Sequence, residues 1–173
     1  MSSPRVARVT ALGALLLLAA ERSTPGQRAD SIVLERTTCF GICPAYRLSI
    51  ARSGRVILTP LPGSRGMRAM VAGTDSLPPR VFTRLLSLAD SAGFFALPDS
   101  TLGHPALCTR VHTDAPSIIV SVYAAATGLK RVNHYMGCEG GGDSTSAARL
   151  RRLEAFAAEI DREAGTSRWR SPP

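Results

Sequence analysis

The sequence predicts an α+β domain: one antiparallel sheet of about five to six strands with two helices packed on it. Three observations carry this. Short runs of large and polar residues alternate with period two, the mark of half-buried strands. Two longer stretches repeat apolar residues at helical spacing. The runs come in blocks, strands then helix then hairpin then helix, without the strict strand–helix alternation that builds a parallel sheet.

The elements follow in order. Ile32-Val33-Leu34 reads as a short strand. Residues 46–51 alternate, Ser53-Gly54 supplies a turn, and Val56-Ile57-Leu58 follows, which together make a hairpin. After a turn-rich stretch at 60–66, Met67-Arg68-Ala69-Met70-Val71 alternates again and is expected as the next strand. Pro78-Pro79 opens the first helix, since proline is tolerated in a first turn, with Ser76 as the expected cap. Val81, Leu85, Leu88, Ala89 and Ala92 form its apolar stripe, widened by Phe82 and Leu86, and Gly93 ends it. Phe94 to Leu97 tucks the exit into the core. Residues 98–116 form a long loop with three prolines; a loop of that length is either functional or pinned, and Cys108 is placed to pin it.

The clearest strand is 117–123, with Thr127-Gly128 as the turn and 129–135 as its partner. A loop at 137–143 leads to a final helix over 145–163, with Leu150, Leu153, Phe156, Ala157 and Ile160 on one face. Its charges run against the helix dipole: arginines begin it, and Glu159, Asp161 and Glu163 end it. That costs about 1 kcal/mol, so packing must hold the helix. Trp169 lies in a polar tail at 165–173 that can fold back. There are no internal repeats.

Arg5 and Arg8 precede an apolar run of about a dozen residues that ends at Ala20, the pattern of a secretory signal at residues 1–20 and too short for the roughly 20 residues of a membrane-spanning helix. Residues 21–30 read as a disordered lead-in, and 31–164 as a single domain. The expected location is the periplasm or the cell exterior, with no stable membrane span after signal removal. Without Arg5 and Arg8 the formal charge falls from +8 to +6, nearly all of it arginine, Lys130 being the sole lysine. The arginines are scattered, which argues against a nucleic-acid surface. Only Arg149, Arg151 and Arg152 group tightly, as the solvated face of the last helix. A positive exterior favours anionic partners such as envelope polymers or lipid head groups.

Export makes disulfides the first expectation for the four cysteines. In an extended strand Cys39 and Cys43 would stand roughly 13 Å apart, beyond the limit of about 7 Å, so pairing requires a turn at Phe40-Gly41-Ile42. Cys108 precedes the central hairpin and Cys138 follows it, so the hairpin brings them together. Pairs 39–43 and 108–138 are therefore expected among the three connectivities. Two alternatives stay open. Cys39 and Cys43 could cycle as a redox pair, although three residues separate them and no helix starts after the first. The four cysteines, alone or with His112 or His134, could bind zinc. No metal site and no cofactor is expected over these readings.

The segment Cys39-Phe40-Gly41-x-Cys43-Pro44-x-Tyr46 resembles a bacterial family, domain of unknown function 6438, whose members are mostly small exported or lipid-anchored proteins. The resemblance extends over about 32–160 and includes Gly93-Phe94-Phe95, Asp114-Ala115-Pro116 and His134-Tyr135. The chain departs from the pattern at Leu58-Thr59-Pro60, where an aromatic–glycine ending is expected, and has no lipid-attachment cysteine. The resemblance implies a fold and a compartment and no reaction.

Further candidate chemistry is sparse. His134, Tyr135, Asp114 and Tyr46 could converge, because Asp114 and Tyr135 flank the predicted hairpin, and a His–Asp pair with a nearby tyrosine could serve acid–base work, yet no nucleophile motif accompanies them. Gly140-Gly141-Gly142 precedes a helix but lacks the lysine of a phosphate loop, so Asp143 or Ser144 reads as a helix cap. The leading reading is a non-catalytic, disulfide-stapled exported module that binds or scaffolds. A thiol–disulfide protein, a hydrolase using Asp114 and His134, and a metal-binding domain are the alternatives.

Overall fold

The structure is a computed structural model and describes residues 29–63, 69–125, 128–139 and 144–171. The expected signal segment lies outside the described residues. Its chain order is β1 (Ser31–Arg36), β2 (Tyr46–Ala51), β3 (Arg55–Pro60), β4 (Gly73–Ser76), α1 (Pro79–Ser91), β5 (Arg110–Val111), β6 (Ser117–Ala124), β7 (Gly128–Tyr135), β8 (Cys138–Glu139) and α2 (Ser144–Ala164). Short 3-10 turns follow α1 at Phe94–Ala96 and α2 at Thr166–Trp169.

Six strands form one sheet in the order β4-β3-β2-β1-β6-β7, and every pair is antiparallel. This is the α+β architecture that the strand and helix blocks predict. β1 lies at the centre, and its register sets the two faces. Leu34 stands opposite Leu48 on one side and Val120 on the other. Side chains two apart share a face, so Ile32 and Leu34 join Leu48, Ile50, Val56, Leu58, Ile118, Val120, Val122 and Val132 in one apolar layer. Phe82, Leu85, Leu86 and Ala89 of α1 and Leu150, Leu153, Phe156, Ala157 and Ile160 of α2 cover that layer, all of them buried. Phe94 lies between, its ring 5.3 Å from Phe95 and 6.0 Å from Phe156. The opposite face carries the Glu35–Arg47 ion pair of β1 and β2.

Three local expectations need correction, and a fourth, the returning tail, holds. The alternating run at 67–71 is not the fourth strand. That place belongs to Gly73–Ser76, while Met70 forms a single bridge to Arg170; Met67 and Arg68 lie outside the described residues. The reason is Gly73: a Cβ there would come within 3.0 Å of the Trp169 indole nitrogen, so a glycine is what lets this edge pass beneath the returning tail. Ser76 does not cap α1. It ends β4, and Pro78 occupies the cap position with no side-chain hydrogen bond. The tail folds back onto the sheet, with Val71 N donating to the Trp169 carbonyl at 2.8 Å and Trp169 packed against the core. Ala29 and Asp30, at the end of the expected lead-in, belong to the fold: Ala29 is fully buried, and Asp30 N donates to the Tyr123 carbonyl at 2.6 Å.

The adverse charges of α2 have a tertiary use. Glu159 and Glu163 both accept hydrogen bonds from Arg84 of α1, clamping the two helices together, and Arg162 joins the same cluster. Its bond to Glu159 holds that carboxylate below the usual range. Asp161 reaches the sheet, as described next.

Candidate functional site

The chain between β1 and β2 carries the motif. Phe40 N donates to the Asp114 carbonyl at 3.2 Å, and Gly41 N closes back on the Cys39 carbonyl at 2.9 Å. Cys39 is bonded to Cys43 with 5.6 Å between Cα atoms, which locks this five-residue ring. The ring pushes Phe40 and Ile42 into solvent, 89% and 62% exposed. Asp114 holds a left-handed conformation at φ 67°, which aspartate tolerates better than most residues, and so presents its carbonyl to the ring. Thr37 and Ser117 tie the ring's base to β6: Thr37 N donates to the Ser117 carbonyl, and Ser117 N donates to Thr37 Oγ1 at 2.7 Å.

Arg36 ends β1 and Tyr46 begins β2, and the two are register partners. Both continue the apolar face, so both point toward α2. Asp161 in the last turns of that helix meets them. Arg36 Nε donates to Asp161 Oδ2 at 2.7 Å, and the Tyr46 hydroxyl donates to Asp161 Oδ1. Both carboxylate oxygens are thereby occupied.

A cleft of about 310 Å³ opens over this group. Its floor is Tyr46, Met70 and Ile118, all buried. Arg36, Thr37, Ser117, Arg170 and the buried Thr166 also line it, as do Cys43, Pro44 and Pro116. Asp161 is the one acidic residue in this lining. Burial first, then the neighbouring Asp161 charge and its hydrogen bond, push the Tyr46 phenol far above its ordinary range, against a smaller opposing pull from Arg36 and Thr166. Burial would lower the Arg36 guanidinium, but Asp161 and Tyr46 outweigh it and hold it firmly charged.

This has a measurable consequence. A phenol whose folded value lies above its unfolded value contributes stability that is intact below about pH 10 and is lost as the pH climbs beyond. Wild type should therefore lose stability in that alkaline window, and Tyr46→Phe should lose less of it. Tyrosinate absorbance near 295 nm, taken as wild type minus Tyr46→Phe, checks this. An increment for Tyr46 in the ordinary phenol range would contradict it.

The other sequence candidates lie apart from one another. Asp114 is exposed, with its side chain beside the Thr113 hydroxyl at 3.2 Å, and it does not pair with His134. His134 is 1% exposed and sits between Thr101 Oγ1, 3.0 Å from Nδ1, and Glu154 Oε1, 3.1 Å from Nε2. Thr101 is itself fully buried, while the Glu154 side chain is 39% exposed. This trio ties the long loop to β7 and α2, and Thr101 N adds a backbone bond to the Asn133 carbonyl at 3.0 Å. The Tyr135 hydroxyl donates to the His112 carbonyl at 2.8 Å. Cys108 is bonded to Cys138, 5.0 Å between Cα atoms, beside the small β5–β8 pair, and together these pin the long loop. His112 Nε2 lies 2.7 Å from Glu139 Oε1, and that contact holds the Glu139 carboxyl below its usual range. All four sulfurs are used in disulfides. Gly140 to Asp143 lie outside the described residues, and Ser144 is the first residue of α2. Arg149, Arg151 and Arg152 are exposed on α2.

Arg36, Asp161, Thr101, Glu154 and Arg170 were not singled out by the sequence. The parity of the β1 strand was the available signal for Arg36, and the misplaced acidic end of α2 was the signal for Asp161.

A family model described as Domain of unknown function (DUF6438) matches residues 30–160 of the chain. No curated protein matches it.

Proposed function

The chain belongs to the family described as Domain of unknown function (DUF6438), and from the geometry of its motif we propose that it is an exported, non-catalytic binding module of the cell envelope, held by two disulfides, with the cleft at the motif end of the sheet as its binding site. One observation carries this reading. Cys43, Pro44 and Tyr46, the second half of the motif, wall and floor a cleft whose polar groups are held in place by α2. A rigid concave site with an apolar floor and a few fixed polar groups is the usual form of a small-ligand site.

Export is supported by the fully paired cysteines. Among the described residues no helix is long and apolar enough to cross a membrane. The mature charge of +6 favours an anionic envelope component as partner. Catalysis is disfavoured because, among the described residues, no nucleophile and base meet at the cleft: Tyr46 is committed to Asp161, and His134 is buried elsewhere. Thiol exchange at Cys39 and Cys43 is the competing reading. Its weakness is that β2, not a helix, follows Cys43, so no helix terminus favours a thiolate there.

The test is a fragment screen by amide chemical-shift mapping on the oxidised protein. Hits should converge on Thr37, Ser117, Ile118 and Thr166. Hits that scatter over other surfaces would remove the cleft from the reading. Selective, reversible opening of the 39–43 bond at mild reductant would put thiol exchange in its place.

A further inference from the structure

Among the described residues, Arg170 is the arginine of the cleft without an acidic side-chain partner. Arg36 is held by Asp161 and lies against Tyr46, and both Asp161 oxygens are taken. Arg170 also lines the cleft, and its backbone is anchored by the bridge to Met70, yet no described acidic side chain pairs with it. The neighbouring Arg168, by contrast, is paired with Asp75 and stacks 5.0 Å from the Trp169 ring. The cleft is thus lined by two arginines and one carboxylate, whose acceptor oxygens are already filled. Ser117 and Thr166 line the same cleft, together with the buried Met70 and Ile118.

We propose that this cleft binds a small organic carboxylate carried on an apolar stem, with Arg170 as the principal partner of the carboxylate and Met70 and Ile118 in contact with the stem. This rests on the cleft being the binding site, as argued above. Guanidinium groups bind carboxylates in two-pronged, charge-assisted geometry. The volume of about 310 Å³ stands at the lower end of the range for ligand sites, roughly 300–1,000 Å³, which limits the guest to a small molecule or a chain end. An apolar floor favours a stem over a bare inorganic anion, which would lose its hydration without gaining contacts there.

The experiment titrates the full mature protein with hexanoate, hexan-1-ol, acetate and inorganic phosphate, and follows the backbone amides of Thr37, Ser117, Ile118 and Thr166. Hexanoate should give saturable shifts at these positions and bind about tenfold more tightly than hexan-1-ol. Acetate and phosphate should be weaker still. Arg170→Gln should remove the preference for hexanoate over hexan-1-ol and leave the thermal midpoint near that of wild type, because Arg170 is exposed and its side chain supports no described contact. Equal binding of hexanoate and hexan-1-ol would overturn carboxylate recognition while leaving the cleft as a binding site. Tighter binding of phosphate than of hexanoate would overturn the role of the apolar floor. No shift at the cleft with any of the four would overturn the cleft itself. Unchanged selectivity in Arg170→Gln would remove Arg170 from the site.

Discussion

Asp161→Ala should cost about 2–3 kcal/mol of folding stability, a fall in midpoint of roughly 5–10 °C for a domain of this size. Losing one partner of a fully buried ion pair costs more, about 3–5 kcal/mol. Here the side chains of Arg36 and Asp161 keep 25% and 17% of their exposure, so water offsets part of the loss. What remains is a half-buried guanidinium without its carboxylate and a buried phenol without its acceptor. Asp161→Asn should cost less, because an amide oxygen can still accept one of the two bonds. Arg36→Met combined with Asp161→Leu should cost less than the sum of the two single changes, since no charge is left stranded. Urea unfolding of Asp161→Ala, Asp161→Asn, the double variant and its two single variants measures this. Additivity within about 0.5 kcal/mol would mean that Arg36 and Asp161 act independently and that α2 does not preorganise the cleft through this pair.

The same residue explains why the sheet was readable from sequence and the site was not. Strand alternation in 46–51 is local and states that strand's inward face, while 117–123 reads as a strand from its continuous β-branched run and is buried on both faces. Once β1 is placed between them, the register follows from matching apolar faces, and so do the two helices that cover them. Met67 to Val71 misled because its alternation is equally real: Met70 is buried, but its backbone partner is Arg170, about 100 residues away, and no local pattern names a partner at that distance. The fourth strand, Gly73–Ser76, has no apolar alternation at all. It exists because it pairs with β3 under Trp169.

The site lies at the junction of three distant segments, and each looks ordinary alone. Arg36 closes a strand, Tyr46 opens one, and Asp161 ends a helix where a negative charge is unfavourable. That last feature was visible as a helix-dipole conflict. A local rule broken without local compensation marks a tertiary contact, and all three acids at the end of α2 make one. Asp114 and His134 drew attention because Asp114 and Tyr135, the neighbour of His134, flank one hairpin. Yet His134 faces inward from β7 toward α2, whereas Asp114 stands in the exposed loop before β6, so proximity along the hairpin did not bring them together.

The two disulfides should separate by function when each is removed. The 108–138 bond closes about 31 residues, for which the chain-entropy account gives roughly 3.7 kcal/mol; the 39–43 bond closes five residues and gives about 2 kcal/mol. Cys108→Ala with Cys138→Ala should therefore show the larger fall in unfolding midpoint, roughly 8–15 °C. The β5–β8 pair and the backbone bond from His112 N to the Gly137 carbonyl, 2.8 Å, would still hold the long loop in the native state, so the loss acts through the unfolded chain. Cys39→Ala with Cys43→Ala should cost less stability but reshape the wall of the cleft, since Cys43 lines it and the ring positions Pro44. Calorimetry and hexanoate titration on both double variants decide the matter. A larger midpoint loss at 39–43 than at 108–138 would contradict loop closure as the source of stability. Unaltered hexanoate binding without the 39–43 bond would mean that the disulfide ring does not shape the cleft.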